Sequence, residues 1–397
     1  MELSRKHSDI TASLTLEIDA KAKKMKAQGI DVIGFGAGEP DFDTPSFIIE
    51  AAKEALDKGY TKYTPSSGIM ELKEAICEKL KRDNNLDYEP NEILISNGAK
   101  HSLYNIFQAI LNPGDEVIIP SPYWVSYPEM VKMADGVPVF VNTLDEHGFR
   151  IDIEHLERII TDKTKALIIN SPNNPCGCVY DREQLEAIAK LAVEQDFFVV
   201  SDEIYDELLY DGAEHISIAS LNPEIKERTL LVNGMSKAYA MTGWRIGYAA
   251  GNKEIIRVMS NIQSHSTSNP NSIAQYASLA ALKGPKDIIK EMVCTFDERR
   301  KFMVNRINSI DMISCTRPQG AFYVMLNIKN VIGRTYNGRI IKGSLDFTDA
   351  LLEAQKVAVV PGIAFGADGY VRLSYATSKE NIEKGLNRIE KFIKELK

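Results

Sequence analysis

Short runs that are apolar on both faces, interspersed with stretches of helical periodicity, constrain this chain more than any other feature. Runs of this kind fall at 92–96 (EILIS), 116–119 (EVII), 137–141 (VPVFV), 166–169 (ALII), 197–200 (FFVV), 229–232 (TLLV) and 246–250 (IGYAA). Helical patterns cover 68–82, about 100–111, and 124–134. A strand with no polar face must be covered on both sides, so these runs predict an α/β fold with a mostly parallel sheet flanked by helices. Ligands of such sheets bind beyond the carboxyl ends of the strands. Past Pro285 the texture changes. A long charged helix, about 287–307, leads to strand segments at 321–326, 357–360 and 370–374 and a closing helix at 379–396. That pattern reads as a smaller α+β domain, to which the first residues of the chain return. With 397 residues, 44% of them hydrophobic, two domains are expected: a large one over 46–285, and a small one from 1–45 with 286–397.

The residues just past each strand are polar. After Ile95 comes SNGAK, a glycine turn that opens a helix and offers free N–H groups to an anion. After Ile169 comes NSPNNPCG, after Val200 comes SDEIY, and after Val232 comes NGMSKAYAMTGWR. Read singly, the Asn-Pro segment is a turn, Asp202 or Glu203 a helix cap, and Tyr205 a core tyrosine with its hydroxyl at the surface. Gly34, Gly36 and Gly38 do not form a dinucleotide loop, because Glu39 comes next and no apolar helix start succeeds it.

Read together, they describe one chemistry. Lys237, at the end of a buried strand and eight residues before Arg245, suits a Schiff base, since burial near cations frees an amine of its proton. An ionised Asp202 can keep a pyridine nitrogen protonated and make the ring an electron sink. Tyr205 and Asn174 can bond a phenolate oxygen on that ring, and Trp124 offers a face to stack on it. Ser236 and Arg245, with Gly98, Ala99 and Lys100 of the glycine turn, can grip a phosphate. These groups fit a pyridoxal 5′-phosphate (PLP) pocket.

The chain resembles the fold-type I, PLP-dependent class I aminotransferases, and among them the bacterial and archaeal aspartate aminotransferase subgroup. Ordered matches carry the resemblance: Ser13-x-Thr15, GEPDFDTP (38–45), YTPSSG (63–68), NSPNNPCG (170–177), SDEIY (201–205), SK (236–237) with Arg245, and YVRLS (370–374). It implies a seven-stranded sheet and Lys237 as the lysine that holds the coenzyme. Asp202 is implied as partner of the ring nitrogen, Tyr205 and Asn174 as partners of the 3-hydroxyl, and Arg245 as a phosphate ligand. Arg372 is implied as the clamp on the substrate α-carboxylate, near Gly38, Asn174 and Trp124. Tyr63 is implied to reach the phosphate of a neighbouring subunit, hence a homodimer with shared active sites.

Two positions depart from the family. Cys176 stands where Thr or Ser is usual, and we read it as a small buried thiol. The segment 262–270 (IQSHSTSNP) lacks the arginine that other aspartate aminotransferases use for the distal carboxylate. Within the resembled subgroup a lysine of the glycine turn does this, here Lys100, with Ser13 and Thr15 as candidate helpers. The implied reaction moves an amino group between aspartate and 2-oxoglutarate in two half-reactions. Alternatives are an aromatic, prephenate or alanine aminotransferase, a β-C–S lyase, or a non-catalytic PLP-binding sensor.

The bulk numbers exclude other classes. A net charge of −8 and the absence of a basic block argue against nucleic-acid binding. The cluster KAKKMK at 21–26 reads as the wet face of a helix. Five cysteines without a CxxC pair predict no metal, and a reduced, cytoplasmic setting. No leader-like apolar segment opens the chain and no stretch approaches a membrane span.

Overall fold

The structure is a computed structural model that describes Lys6 and residues 10–397. The charged start of the chain, read as lacking a leader, therefore lies partly outside the described residues. Strands are numbered in chain order. β1 is Ile33–Gly34, β2 Ile93–Ser96, β3 Glu116–Ser121, β4 Val137–Asn142, β5 Thr164–Asn170, β6 Phe198–Asp202, β7 Thr229–Gly234 and β8 Gly247–Ala250. They are succeeded by β9 Ser314–Cys315, β10 Tyr323–Asn327, β11 Thr335–Tyr336, β12 Arg339–Ile340, β13 Val357–Ala358, β14 Val360–Pro361 and β15 Tyr370–Ser374.

All seven apolar runs of the larger part pair into one seven-stranded sheet in the order β2-β8-β7-β6-β5-β3-β4. Every pairing is parallel except those of β8, which runs against both β2 and β7. The lack of a polar face has the expected cause. Leu94, Ala166, Ile168, Val200, Leu230 and Val232 pack into a core under helices Ala99–Ile110, Ser126–Met133 and Lys253–Ser266. Their neighbours on the opposite face, Ile93, Ile95, Leu167, Val199 and Leu231, pack into two other cores. Burial of each such side chain contributes about 1.5–3 kcal/mol, so these strands hold helices on both faces. Helix Ser126–Met133 begins two residues later than its periodicity predicts, because Pro122 and Trp124 still belong to the connecting loop.

The rest of the chain builds a four-stranded antiparallel sheet, β14-β15-β10-β9, packed on helices Asp287–Ile307, Ser344–Gln355 and Lys379–Lys394. The run 357–360 is not one strand. Val357–Ala358 pairs parallel with Ile33–Gly34, and Val360–Pro361 pairs antiparallel with Val371 and Arg372, so the chain changes partners at Val359. The N-terminal segment thereby joins the C-terminal part. In helix Leu14–Ala27, Lys21, Lys24 and Lys26 are exposed while Ala22 is buried, as a wet helix face requires. No described helix is long and apolar enough to cross a membrane.

Candidate active site

A cleft of about 630 Å³ opens where β2, β5, β6 and β7 end. Because β8 is antiparallel, Arg245, two residues before its start, reaches the same end of the sheet. Gly38, Ala99, Lys100, Trp124, Asn174, Asp202, Tyr205, Ser236, Lys237, Arg245, Arg372 and Thr15 all line this cleft. Gly98 lies directly behind its wall, Ser13 lines the neighbouring cavity, and Tyr63 lies away from both.

Lys237 projects from the loop after β7, and its Nζ donates to the Gly38 carbonyl at 2.5 Å. Burial above all brings its pKa down to about 8, with Arg245 and Arg372 adding to the effect against the pull of Glu39 and Asp202. About a tenth of such amines are unprotonated at pH 7, far more than for an ordinary lysine. The lysine is therefore a usable nucleophile and base.

Asp202 ends β6 and is 3% exposed. Burial raises its pKa to about 6, opposed by the Tyr127 hydroxyl, which donates to Oδ2 at 2.6 Å, and by the Ile204 amide at 3.2 Å from Oδ1. It remains mostly ionised at pH 7, and a cation placed against it would hold it so. Tyr205, three residues on, is buried with its hydroxyl 3.0 Å from that of Tyr323. Burial holds its pKa well above the usual value, so it stays a hydroxyl donor.

The other end of the cleft suits an anion. Helix Ala99–Ile110 starts at Gly98 (φ 87°) with no side chain capping it; His101 N already donates to Gly98 O at 2.9 Å, which leaves the amides of Ala99 and Lys100 as donors. A Cβ on Gly98 would come within 2.4 Å of Arg245 Nη2. Only glycine lets the arginine lie against this turn. Arg245 sits at φ 59° and donates to the carbonyls of Thr242 (2.9 Å) and Asn97 (3.2 Å), which aims its fork.

Arg372, in the middle of β15, is 3% exposed. Nη1 donates to Asn174 Oδ1 at 3.0 Å and Nη2 to Gly36 O at 2.9 Å, while the buried Nε has no partner. Its guanidinium lies 4.4 Å from the Tyr323 ring centre and 5.0 Å from that of Phe365. A rigid, aromatic-backed fork with donor capacity to spare is the chemistry of a carboxylate clamp. Asn174 is fixed in turn, its amide bonded to Asn170 Oδ1 at 2.8 Å.

Lys100 Nζ lies 4.9 Å from the centre of the Trp124 ring, and burial with the nearby Arg245 lowers its pKa. Ser13 Oγ and Thr15 Oγ1 are 2.8 Å apart. Cys176 is buried, with its Sγ bonded to Asn173 Oδ1 at 3.0 Å, and burial pushes its pKa well above the usual thiol value. It is a packing thiol. Three participants escape a reading of the sequence: Tyr127, Tyr323 and Lys23, which also lines the cleft. Tyr127 could have been found, since it lies one helical turn after Trp124. Tyr323 comes from a distant strand with no local motif.

The donor set fits PLP. An anion cradle, a buried carboxylate, an aromatic face and a lysine of lowered pKa line one cleft. The family of class I and II aminotransferases matches residues 30–389. A curated aspartate aminotransferase from Bacillus sp. (strain YM-2) is 53% identical over 392 residues, 99% of each chain. A Rickettsia conorii protein described as a probable aspartate/prephenate aminotransferase is 50% identical over 393 residues, 98% of each chain. The crystal structure of the aspartate aminotransferase from Rhizobium meliloti aligns with a TM-score of 0.97 at 45% identity, covering 100% of both chains.

Proposed function

The chain belongs to the class I and II aminotransferase family, and from that premise we propose that it moves an amino group between aspartate and 2-oxoglutarate with PLP as coenzyme. One observation carries the reading: the Lys237 amine, the Asp202 carboxylate and the Arg372 fork line a single cleft. When bound, the coenzyme supplies a conjugated electron sink for the bonds of the substrate α-carbon.

The chain's own residues do the rest. Lys237 would hold the coenzyme aldehyde, the first turn of Ala99–Ile110 with Ser236 and Arg245 its phosphate, and Asp202 its ring nitrogen. Tyr205 and Asn174 would hold the 3-hydroxyl, with Trp124 against the ring. Arg372 takes the α-carboxylate, which orients the α-hydrogen toward Lys237. Lys237 Nζ would take that proton as base and then, as acid, give it to the former aldehyde carbon of the coenzyme rather than back to the α-carbon. Lys100, with Ser13 and Thr15, would receive the side-chain carboxylate.

Tyr63 is 90% exposed and outside its own cleft. That placement supports a homodimer in which Tyr63 serves the site of the other copy. The pairing of Ile33–Gly34 with Val357–Ala358 supports a division into a large domain (46–285) and a small one (1–45 with 286–397). All five cysteines are free, which supports a cytoplasmic setting.

The test is a panel of amino donors against 2-oxoglutarate. Aspartate should yield oxaloacetate and glutamate in equal amounts. Pyruvate with ammonia from a cysteine S-conjugate would instead mark elimination, and no turnover with the coenzyme bound would mark a sensor. Prephenate belongs in the panel as an acceptor, because the ammonium of Lys100 discriminates among distal groups less firmly than an arginine fork does.

A further inference from the structure

The turn that carries Asp202 and Tyr205 is also held from behind. Asp202 and Tyr205 line the cleft, whereas Glu203, 1% exposed, does not. Glu203 accepts three bonds within the protein. Its Oε1 takes the hydroxyls of Ser201 at 2.9 Å and Ser217 at 2.6 Å, and its Oε2 takes Nε2 of His215 at 2.8 Å. Its own amide donates to Val232 O at 2.8 Å, tying the turn to β7. One helical turn further on, Asp206 accepts Lys79 Nζ and Asn233 Nδ2, both at 2.8 Å. Asn233 Oδ1 takes the amide of Gly234, three residues before Lys237, at 2.7 Å.

Four ionisable side chains thus lie paired behind the two strand ends that supply Asp202 and Lys237. Burial works against charge on His215, but Glu203 and Asp206 more than offset it and hold the imidazole above its ordinary pKa. Burial likewise opposes charge on Asp206, and Lys79 and His215 overcome it. Such pairs add little net stability over apolar packing of the same volume. Nor is the cluster arranged for best bonding: His215 Nδ1 and the hydroxyls of Tyr88 and Tyr248 are buried nearby without partners. What fixed hydrogen bonds do provide is orientation. Glu203 stands between Asp202 and Ile204, whose amide donates to Asp202 Oδ1 at 3.2 Å, so the three bonds on its side chain fix the backbone from which both the carboxylate and that donor project.

We propose that Glu203, held by His215, Ser201 and Ser217, is a positioning residue that fixes the Asp202 carboxylate at the angle the reaction needs. It rests on the reading of Asp202 as the partner of the coenzyme ring nitrogen.

The test compares holoenzymes of wild type, Glu203→Gln, His215→Gln, Asp202→Asn and the double variant Asp202→Asn/Glu203→Gln. Glutamine at 203 keeps size and acceptor but loses the charge that holds His215. Its kcat for aspartate should fall about tenfold or more, while KM stays within about twofold because Arg372 is untouched. The affinity of its coenzyme-free protein for PLP, read by fluorescence quenching, should fall as well. His215→Gln still offers a donor to Glu203 and should be milder. The double variant should be no slower than Asp202→Asn, since both changes act on one interaction. Should Glu203→Gln fail to fold, Ser217→Ala must still lower kcat at constant KM. Wild-type kcat with only a lowered Tm, or a defect confined to KM, overturns the proposal. Wild-type kcat and PLP affinity in Asp202→Asn would instead overturn the reading beneath it.

Discussion

Replacing Arg372 by lysine keeps a positive charge in the middle of β15 and removes the flat fork. The arginine already spends one arm on Asn174 Oδ1 (3.0 Å) and one on Gly36 O (2.9 Å), and still has donors for a carboxylate. A lysine ammonium has three donors in a small cone and loses the stacking over Tyr323 and Phe365. It must abandon either the loop that carries Asn174 or part of its grip on the substrate. Loss of one hydrogen bond to a charged group in a buried site costs about 1.5–3 kcal/mol, or roughly 10- to 150-fold in kcat/KM. Every α-amino acid carries the same carboxylate, so the loss should be nearly equal for aspartate, alanine and tyrosine. Steady-state rates with the three donors at fixed 2-oxoglutarate measure it. An unchanged kcat/KM, or a loss confined to aspartate, would refute the assignment and move Arg372 to the distal group or out of the site.

Three further outcomes are expected. Lys100→Ala should lower the preference for aspartate over alanine by on the order of tenfold; an unchanged ranking of donors removes Lys100 from the distal site. In coenzyme-free protein the unprotonated Lys237 amine is the reactive form, and its pKa of about 8 sets the response. The rate of covalent PLP attachment should climb with pH below 8 and level off above it, whereas a rate still climbing past pH 10 would indicate an ordinary lysine. Tyr127→Phe removes a donor that stabilises the charged Asp202, so the carboxyl pKa must rise above about 6. The acid limb of PLP binding should then shift up by on the order of one pH unit, and an unmoved limb shows that Tyr127 does not set this ionisation.

Much of this could be read in the sequence because the signals are local. A strand apolar on both faces and the polar turn that ends it occupy adjacent residues, which is why Asn174, Asp202 and Lys237 can be gathered from the chain alone. Arg245 is legible as a residue type, but its arrival at the same cleft depends on β8 running antiparallel, and the run IGYAA carries no mark of direction. The switch of partners at Val359 is hidden for a similar reason: four consecutive apolar residues look alike whether they serve one ladder or two. Tyr323 and the bonds that Glu203 takes from His215 and Ser217 depend on contacts across more than ten residues of chain, where periodicity is silent. Tyr127 is within reach of such reasoning, one turn past Trp124, but nothing local marks its hydroxyl as a partner of Asp202.

Lys237 and Lys100 are two lysines of one cleft, both with lowered pKa, and only one should carry the coenzyme. Borohydride reduction of the PLP-loaded protein, then proteolysis and mass spectrometry, distinguishes them. The pyridoxyl group should lie on Lys237, in the peptide that continues into Ala238 and Tyr239. A label on Lys100 or on any other lysine, or no label on protein saturated with PLP, would contradict the assignment on which every other role here depends.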